Sequence, residues 1–141
     1  MSLTWTPESL ATWDADKAAV VGTAPAGAFP ELEGKQDGEL IGAEWWRVEQ
    51  DGAVVGYGWL DAAWGWAPIL LAVKPNAQRD GVGAFIVEKL KQEAHKRGLA
   101  YLFNVIPATH PDKEGVKAFL VAQGFEEAPS DPTMLRLKVP R

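Results

Sequence analysis

The clearest chemistry lies in Gln78-Arg79-Asp80-Gly81-Val82-Gly83, where a turn opens what reads as a helix. The first N–H groups of a helix have no partner within it, and the helix dipole adds about half a positive charge at that end. Without Cβ atoms at Gly81 and Gly83, a phosphate can come close to those donors. Such a turn holds a phosphorylated cofactor. Arg79 either touches the phosphate or stands solvated at the helix start. A dinucleotide fingerprint needs a third glycine near the start of a parallel sheet, and a P-loop needs Gly-Lys-Ser/Thr. Neither is present.

Elements that place this turn are legible on both sides of it. Before it, residues 66–73 are apolar on both faces and read as a central buried strand. After it, Val82, Ile86, Leu90 and Ala94 form one i, i+4 stripe of a helix over residues 81–97, ended by Gly98. Glu93 and Arg97 are spaced as an i, i+4 ion pair on its wet side. Residues 99–106 form another buried strand, which makes the unit a right-handed parallel crossover. Upstream, residues 43–49 and 53–60 flank Gln50-Asp51-Gly52 as an antiparallel hairpin. Gly56 and Gly58 leave one face of its second strand bare, open to a helix, a backbone or a ligand. Downstream, Asp112 caps a helix to about Gln123, and residues 125–128 and 133–139 pair antiparallel.

The first third is the least regular. Residues 3–5 suit a short strand. Thr6-Pro7-Glu8 reads as a helix start, with Thr6 as N-cap and Pro7 at the first helical position, running to about Val21. Residues 22–43 are rich in Gly, Pro and Ala and read as a long loop. The expectation is one domain over 1–141, with 1–42 a reduced helix–loop N-terminal region.

The net charge of −5 argues against non-specific nucleic-acid binding. Residues 1–70 carry three basic and eleven acidic side chains, a balance of −8, and residues 71–141 carry eleven and eight, a balance of +3. The anion turn thus lies in the basic half, while the acidic half suits a cationic partner. No apolar run approaches the roughly 18 residues of a membrane span, and no basic-then-apolar leader opens the chain. The expected setting is the cytoplasm, away from membrane and nucleic acid. The absence of cysteine excludes disulfides, thiolate metal sites and a cysteine nucleophile.

Val73-Lys74-Pro75-Asn76-Ala77-Gln78-Arg79-Asp80-Gly81-Val82-Gly83-Ala84 resembles the acyl-CoA-binding motif of the GCN5-related N-acetyltransferases, the GNAT family. In that pattern a strand ends in Val-x-Pro, and Gln/Arg-x-x-Gly-x-Gly/Ala then opens a helix. The later Gly124-Phe125 is similar to the family's Gly-Phe after its last helix, and the order of elements from residue 43 onward fits. The resemblance covers about two-thirds of the chain. It implies an α/β (α+β) fold: a mixed, mostly antiparallel, twisted sheet with a central parallel strand–helix–strand crossover and flanking helices.

The resemblance also implies acetyl-CoA as co-substrate, no metal, and direct transfer of the acetyl group to a small-molecule or peptide amine. CoA pyrophosphate would rest on Gln78, Arg79, Asp80, Gly81, Val82, Gly83 and Ala84, and the pantetheine arm along Leu71, Ala72 and Val73. The Leu71 N–H is the expected oxyanion donor. The base is open: Asp61 or Glu44 through a water, or Asp61 merely capping a turn. Where the family often has an acidic tyrosine stands Leu120, and where it has asparagine stands Lys113. The alternatives are water, Tyr57, Tyr101 or His110, with His110 more readily read as a solvated loop residue. Of seven tryptophans five lie between residues 45 and 66. Trp46, Tyr57 and Trp59 could wall a site for a cationic or apolar amine, or fill the core and a homodimer interface. A non-catalytic acyl-CoA sensor of the same fold is the competing function.

Overall fold

The computed structural model describes residues 2–61, 66–77 and 81–140. A seven-stranded sheet in the order β1-β2-β3-β4-β5-β7-β6 forms its centre. The strands are β1 Leu3–Pro7, β2 Glu44–Gln50, β3 Ala53–Leu60, β4 Trp66–Val73, β5 Tyr101–Val105, β6 Glu126–Ala128 and β7 Asp131–Lys138. Three α-helices accompany them: α1 Ala15–Val20, α2 Val82–Lys96 and α3 Lys113–Ala122. Only β4 and β5 are parallel; every other pair is antiparallel. The fold is the expected mixed sheet with one crossover.

Local chemistry explains most of these elements. The β2–β3 hairpin closes on Asp51 and Gly52, both at positive φ as a tight two-residue turn requires. On α2, the stripe Val82, Ile86, Leu90 and Ala94 is buried to within 1% exposure. It lies against the bare face of β3. A Cβ on Gly58 would stand 2.6 Å from Ile86 Cγ2, and one on Gly56 would be 3.1 Å from Val82 Cγ1. The occupant of that face is therefore a helix. Trp5 and Trp46 stack at 5.3 Å beside it.

The other face of β2–β4 carries Trp45, Tyr57, Trp59 and Ala72, covered by α1 and the segment after it. α1 does not begin at Thr6. Thr6 and Pro7 belong to β1, paired with Arg47 and Trp46. A proline at the end of an edge strand withholds an N–H that the ladder does not need. The N-cap is Asp14, whose carboxylate accepts from the Lys17 N–H at 2.8 Å. Lys17 is 1% exposed. Its ammonium donates to Glu8 at 2.7 Å and lies 4.9 Å over the Tyr57 ring, pinning this short helix to the sheet.

The expected Glu93–Arg97 pair is not made. Arg97 instead forms a two-pronged ion pair with Glu44 of β2 and sits 5.5 Å over the Trp46 ring, while Glu93 faces Lys96 at 3.7 Å. No helix among the described residues is long and apolar enough to cross a membrane.

Candidate active site

The site is organised by where β4 leaves β5. The parallel ladder holds only Trp66–Pro68 against Tyr101–Phe103, although β4 runs on to Val73 and β5 to Val105. Beyond it the two strands part, β4 staying with β3 and β5 with β7. On the far side of β4, Asp61 N–H donates to the Pro68 carbonyl and Lys74 N–H to the Val55 carbonyl. Antiparallel ladders alternate, so residues 68, 70, 72 and 74 turn their backbone groups to β3. Ile69, Leu71 and Val73 turn theirs to the gap. Of the three residues expected along the pantetheine, Ala72 is paired with Tyr57 of β3, while Leu71 and Val73 turn their backbones to the β5 side.

Past Val73, a short 3₁₀ turn, Pro75–Ala77, leads toward α2. Gln78, Arg79 and Asp80 lie outside the described residues. Gly81 is the N-cap at φ 81°, and no side chain caps the helix. Phe85 N–H makes the first helical bond, to the Gly81 carbonyl at 3.0 Å. The N–H groups of Val82, Gly83 and Ala84 precede it and have no intrahelical acceptor. Space beside Gly81 is open, but a Cβ on Gly83 would meet Phe119 Cζ of α3 at 2.9 Å. The second glycine thus admits a neighbouring helix.

The candidate proton-transfer residues lie on several different elements. Glu44 is bound to Arg97 at the end of α2 away from Gly81, and on the sheet it lies opposite Leu60, which in turn lies opposite Ile69 of β4. Tyr57 is fully buried on the α1 face, with no partner for its hydroxyl. Burial first, then the carboxylates of Asp14, Glu8 and Asp16, push its pKa well above the usual phenol range. His110 accepts from the Asp112 N–H through Nδ1 at 2.9 Å. Its ring nitrogen thus caps the approach to α3. Tyr101 lies under the Arg136 guanidinium at 5.1 Å, at the paired end of β5. Asp61 is exposed at the end of β3, on the Tyr57 and Trp59 face.

The aromatic candidates do not share one wall. Trp46 packs beneath α2, whereas Tyr57 and Trp59 pack on the opposite face, and all three are at most 5% exposed. Leu120, at the position of the family tyrosine, is buried, and Lys113 is exposed at the start of α3.

Three features were not anticipated. Asn104 of β5, 6% exposed, donates from its amide to the Ile69 carbonyl at 3.0 Å, where the ladder stops. A lone asparagine within an apolar strand was the available signal. Phe29 packs on Trp59 at 5.6 Å, with Leu70 and Ala72 in the same cluster. Next to it, Gly27 touches the loop after β5, where Thr109 Oγ1 donates to its carbonyl at 2.8 Å. Residues 27–29 thus run from Trp59 of β3 to the loop after β5, forming a strap on the α1 face.

The parted parallel pair and the helix start without a side-chain cap belong to an α/β domain with a mixed, mostly antiparallel sheet. The chain belongs to the Acetyltransferase (GNAT) family, whose sequence model matches residues 5–125. No curated protein matches it in sequence. In fold it is similar to the ribosomal-protein-S18-alanine N-acetyltransferase of Escherichia coli, at 18% identity, with TM-score 0.62 over 98% of this chain and 96% of that one. It is also similar to the PaiA N-acetyltransferase of Thermoplasma acidophilum, solved with coenzyme A, at 16% identity and TM-score 0.59 over 67% of this chain and 59% of that one. A phosphinothricin acetyltransferase of Sinorhizobium meliloti, solved with AcCoA, shares 18% identity and TM-score 0.55 over 69% and 61% of the two chains.

Proposed function

We propose that this protein is an acyl-CoA-dependent N-acyltransferase that moves an acetyl group from acetyl-CoA to a primary amine within a ternary complex. The observation that carries the reading is the Leu71 backbone turned into the β4–β5 gap, on the strand that runs toward the uncapped start of α2. CoA fits this chain with its pyrophosphate on the N–H groups of Val82, Gly83 and Ala84, and its arm along Leu71 and Val73. The amine lone pair attacks the thioester carbonyl carbon. As the C–N bond forms, charge gathers on the carbonyl oxygen and Leu71 N–H donates to it. The C–S bond then breaks, the CoA thiolate leaves, and the surplus proton on nitrogen passes to water, with Asp61 as the candidate acceptor through it.

Charge supports a cationic amine. All three cations of the acidic first half are already paired: Lys17 with Glu8, Lys35 with Glu39, and Arg47 with Glu49. The surplus carboxylates have no cation of their own half to meet. Trp59, Tyr57 and Trp46 are too buried to serve as the wall itself, so Phe29 is the aromatic group best placed to meet the acceptor. The setting we propose is the cytoplasm, with the chain working as a single domain.

A Tyr57 buried without a partner for its hydroxyl, and Leu120 and Lys113 at the positions of the family tyrosine and asparagine, favour the second reading, a sensor that binds acyl-CoA without turnover. Thiol release from acetyl-CoA across a panel of mono- and polycationic amines separates the two. Release with one amine, matched by its acetylated mass, supports the enzyme. Tight CoA binding with no release for any amine supports the sensor. No CoA binding at all overturns both.

A further inference from the structure

We infer that Asn104 is the residue that ends the β4–β5 ladder and keeps the gap open, a positioning residue for the acyl-CoA arm; this rests on the acyl-CoA reading above. On β5, Ile106 N–H donates to the Thr133 carbonyl, and Val139 N–H donates to the Ala100 carbonyl. Residues 102, 104 and 106 therefore turn their backbones to β7, and Phe103 and Val105 turn theirs to β4. Continuing the parallel register by one step would pair Ile69 with Asn104, and the Ile69 carbonyl would accept from Val105 N–H. The Asn104 amide takes that carbonyl instead, at 3.0 Å and buried.

The exchange has two consequences. The acceptor that would extend the ladder is already satisfied, so zipping further would leave a buried amide without its partner. Also, Ile69 is held two residues before Leu71, which fixes the direction in which the Leu71 N–H points. The face on which Asn104 lies is apolar: Ile69, Leu102, Ile106 and Leu135 belong to the same buried cluster. An apolar residue of similar volume would pack there and would not stop the ladder. A zipped state would then compete with the parted one, and apparent CoA affinity falls by the fraction that remains parted.

The test compares wild type, Asn104→Leu and Asn104→Asp by calorimetric titration with CoA and with phosphoadenosine diphosphate, its half that lacks pantetheine. All titrations are run well below each variant's melting midpoint. The expected result for Asn104→Leu is a CoA dissociation constant raised about tenfold, as for a parted state populated near one part in ten, with the nucleotide half bound as in wild type. Asn104→Asp separates the hydrogen bond from packing. Its carboxyl donates to Ile69 only when protonated, so the ratio of its CoA affinity to that of wild type should fall as pH rises. If Asn104→Leu binds CoA like wild type, or loses both ligands equally, the inference is overturned. A pH-independent ratio for Asn104→Asp also overturns it. Wild type binding the nucleotide half but gaining nothing from pantetheine would instead sink the acyl-CoA reading.

Discussion

Gly58 and Gly81 are glycines for different reasons, and their substitutions should fail differently. Gly58 lies in mid-strand beneath α2. An alanine Cβ there would be 2.6 Å from Ile86 Cγ2 and 3.0 Å from Trp5, both packed in the core. Overpacking of this kind costs about 1–3 kcal/mol, so Gly58→Ala should lower the melting midpoint with or without CoA. Gly81 has open space around it but sits at φ 81°. Gly81→Ala meets no neighbour; its cost is the left-handed backbone, about 1–2 kcal/mol. Asparagine tolerates that region better, so Gly81→Asn should melt between wild type and Gly81→Ala. A Gly81→Ala protein as stable as wild type would show that the turn relaxes. The Gly-x-Gly pair was readable as a motif, but the role of its second glycine was not, because Phe119 arrives from a helix more than thirty residues away.

α1 is six residues long, too short to hold itself in water, so its contacts must supply the stability that its length does not. Lys17 is the main one. Its ammonium is buried between Glu8 and Asp14 over two aromatic rings. Replacing it leaves Glu8, only 12% exposed, without its closest cation. Lys17→Met should cost about 3 kcal/mol, the low end for breaking a buried pair, and Lys17→Met with Glu8→Gln should recover part of that. Thermal melts of the single and double variants check it; a double variant no more stable than the single one would refute the pairing. Periodicity revealed α2, β4 and the hairpin because each carries its own pattern over eight residues or more. The end of β1 and the start of α1 were misread because Thr6-Pro7-Glu8 satisfies helix-start chemistry locally, while pairing with β2 across forty residues of chain decides the outcome. The Glu44–Arg97 pair was hidden for the same reason: it joins residues 53 positions apart.

At the scale of the whole molecule, one of the contacts that join the N-terminal acidic half to the C-terminal basic half is that between Gly27 and Thr109. It lies on the α1 face, where the strap residues cross from Trp59 of β3 to the loop after β5. It is tightly specified. Gly27 has φ 88°, a Cβ there would stand 2.2 Å from the Thr109 carbonyl oxygen, and its N–H donates to Glu33 at 2.9 Å. Gly27→Ala cannot keep this contact, so the strap must lift from the loop. Because CoA is proposed to contact Leu71, Val73 and the start of α2, none of which the strap supplies, its binding should be unchanged. The amine, approaching from the strap side, loses a wall. The expected outcome is a KM for the amine raised roughly tenfold, as for a misplaced acceptor, with the KM for acetyl-CoA within twofold of wild type. Thr109→Val removes only the hydroxyl donor and should show the same split at smaller size. If both KM values rise together, the strap supports the fold as a whole and the acceptor does not enter beneath it.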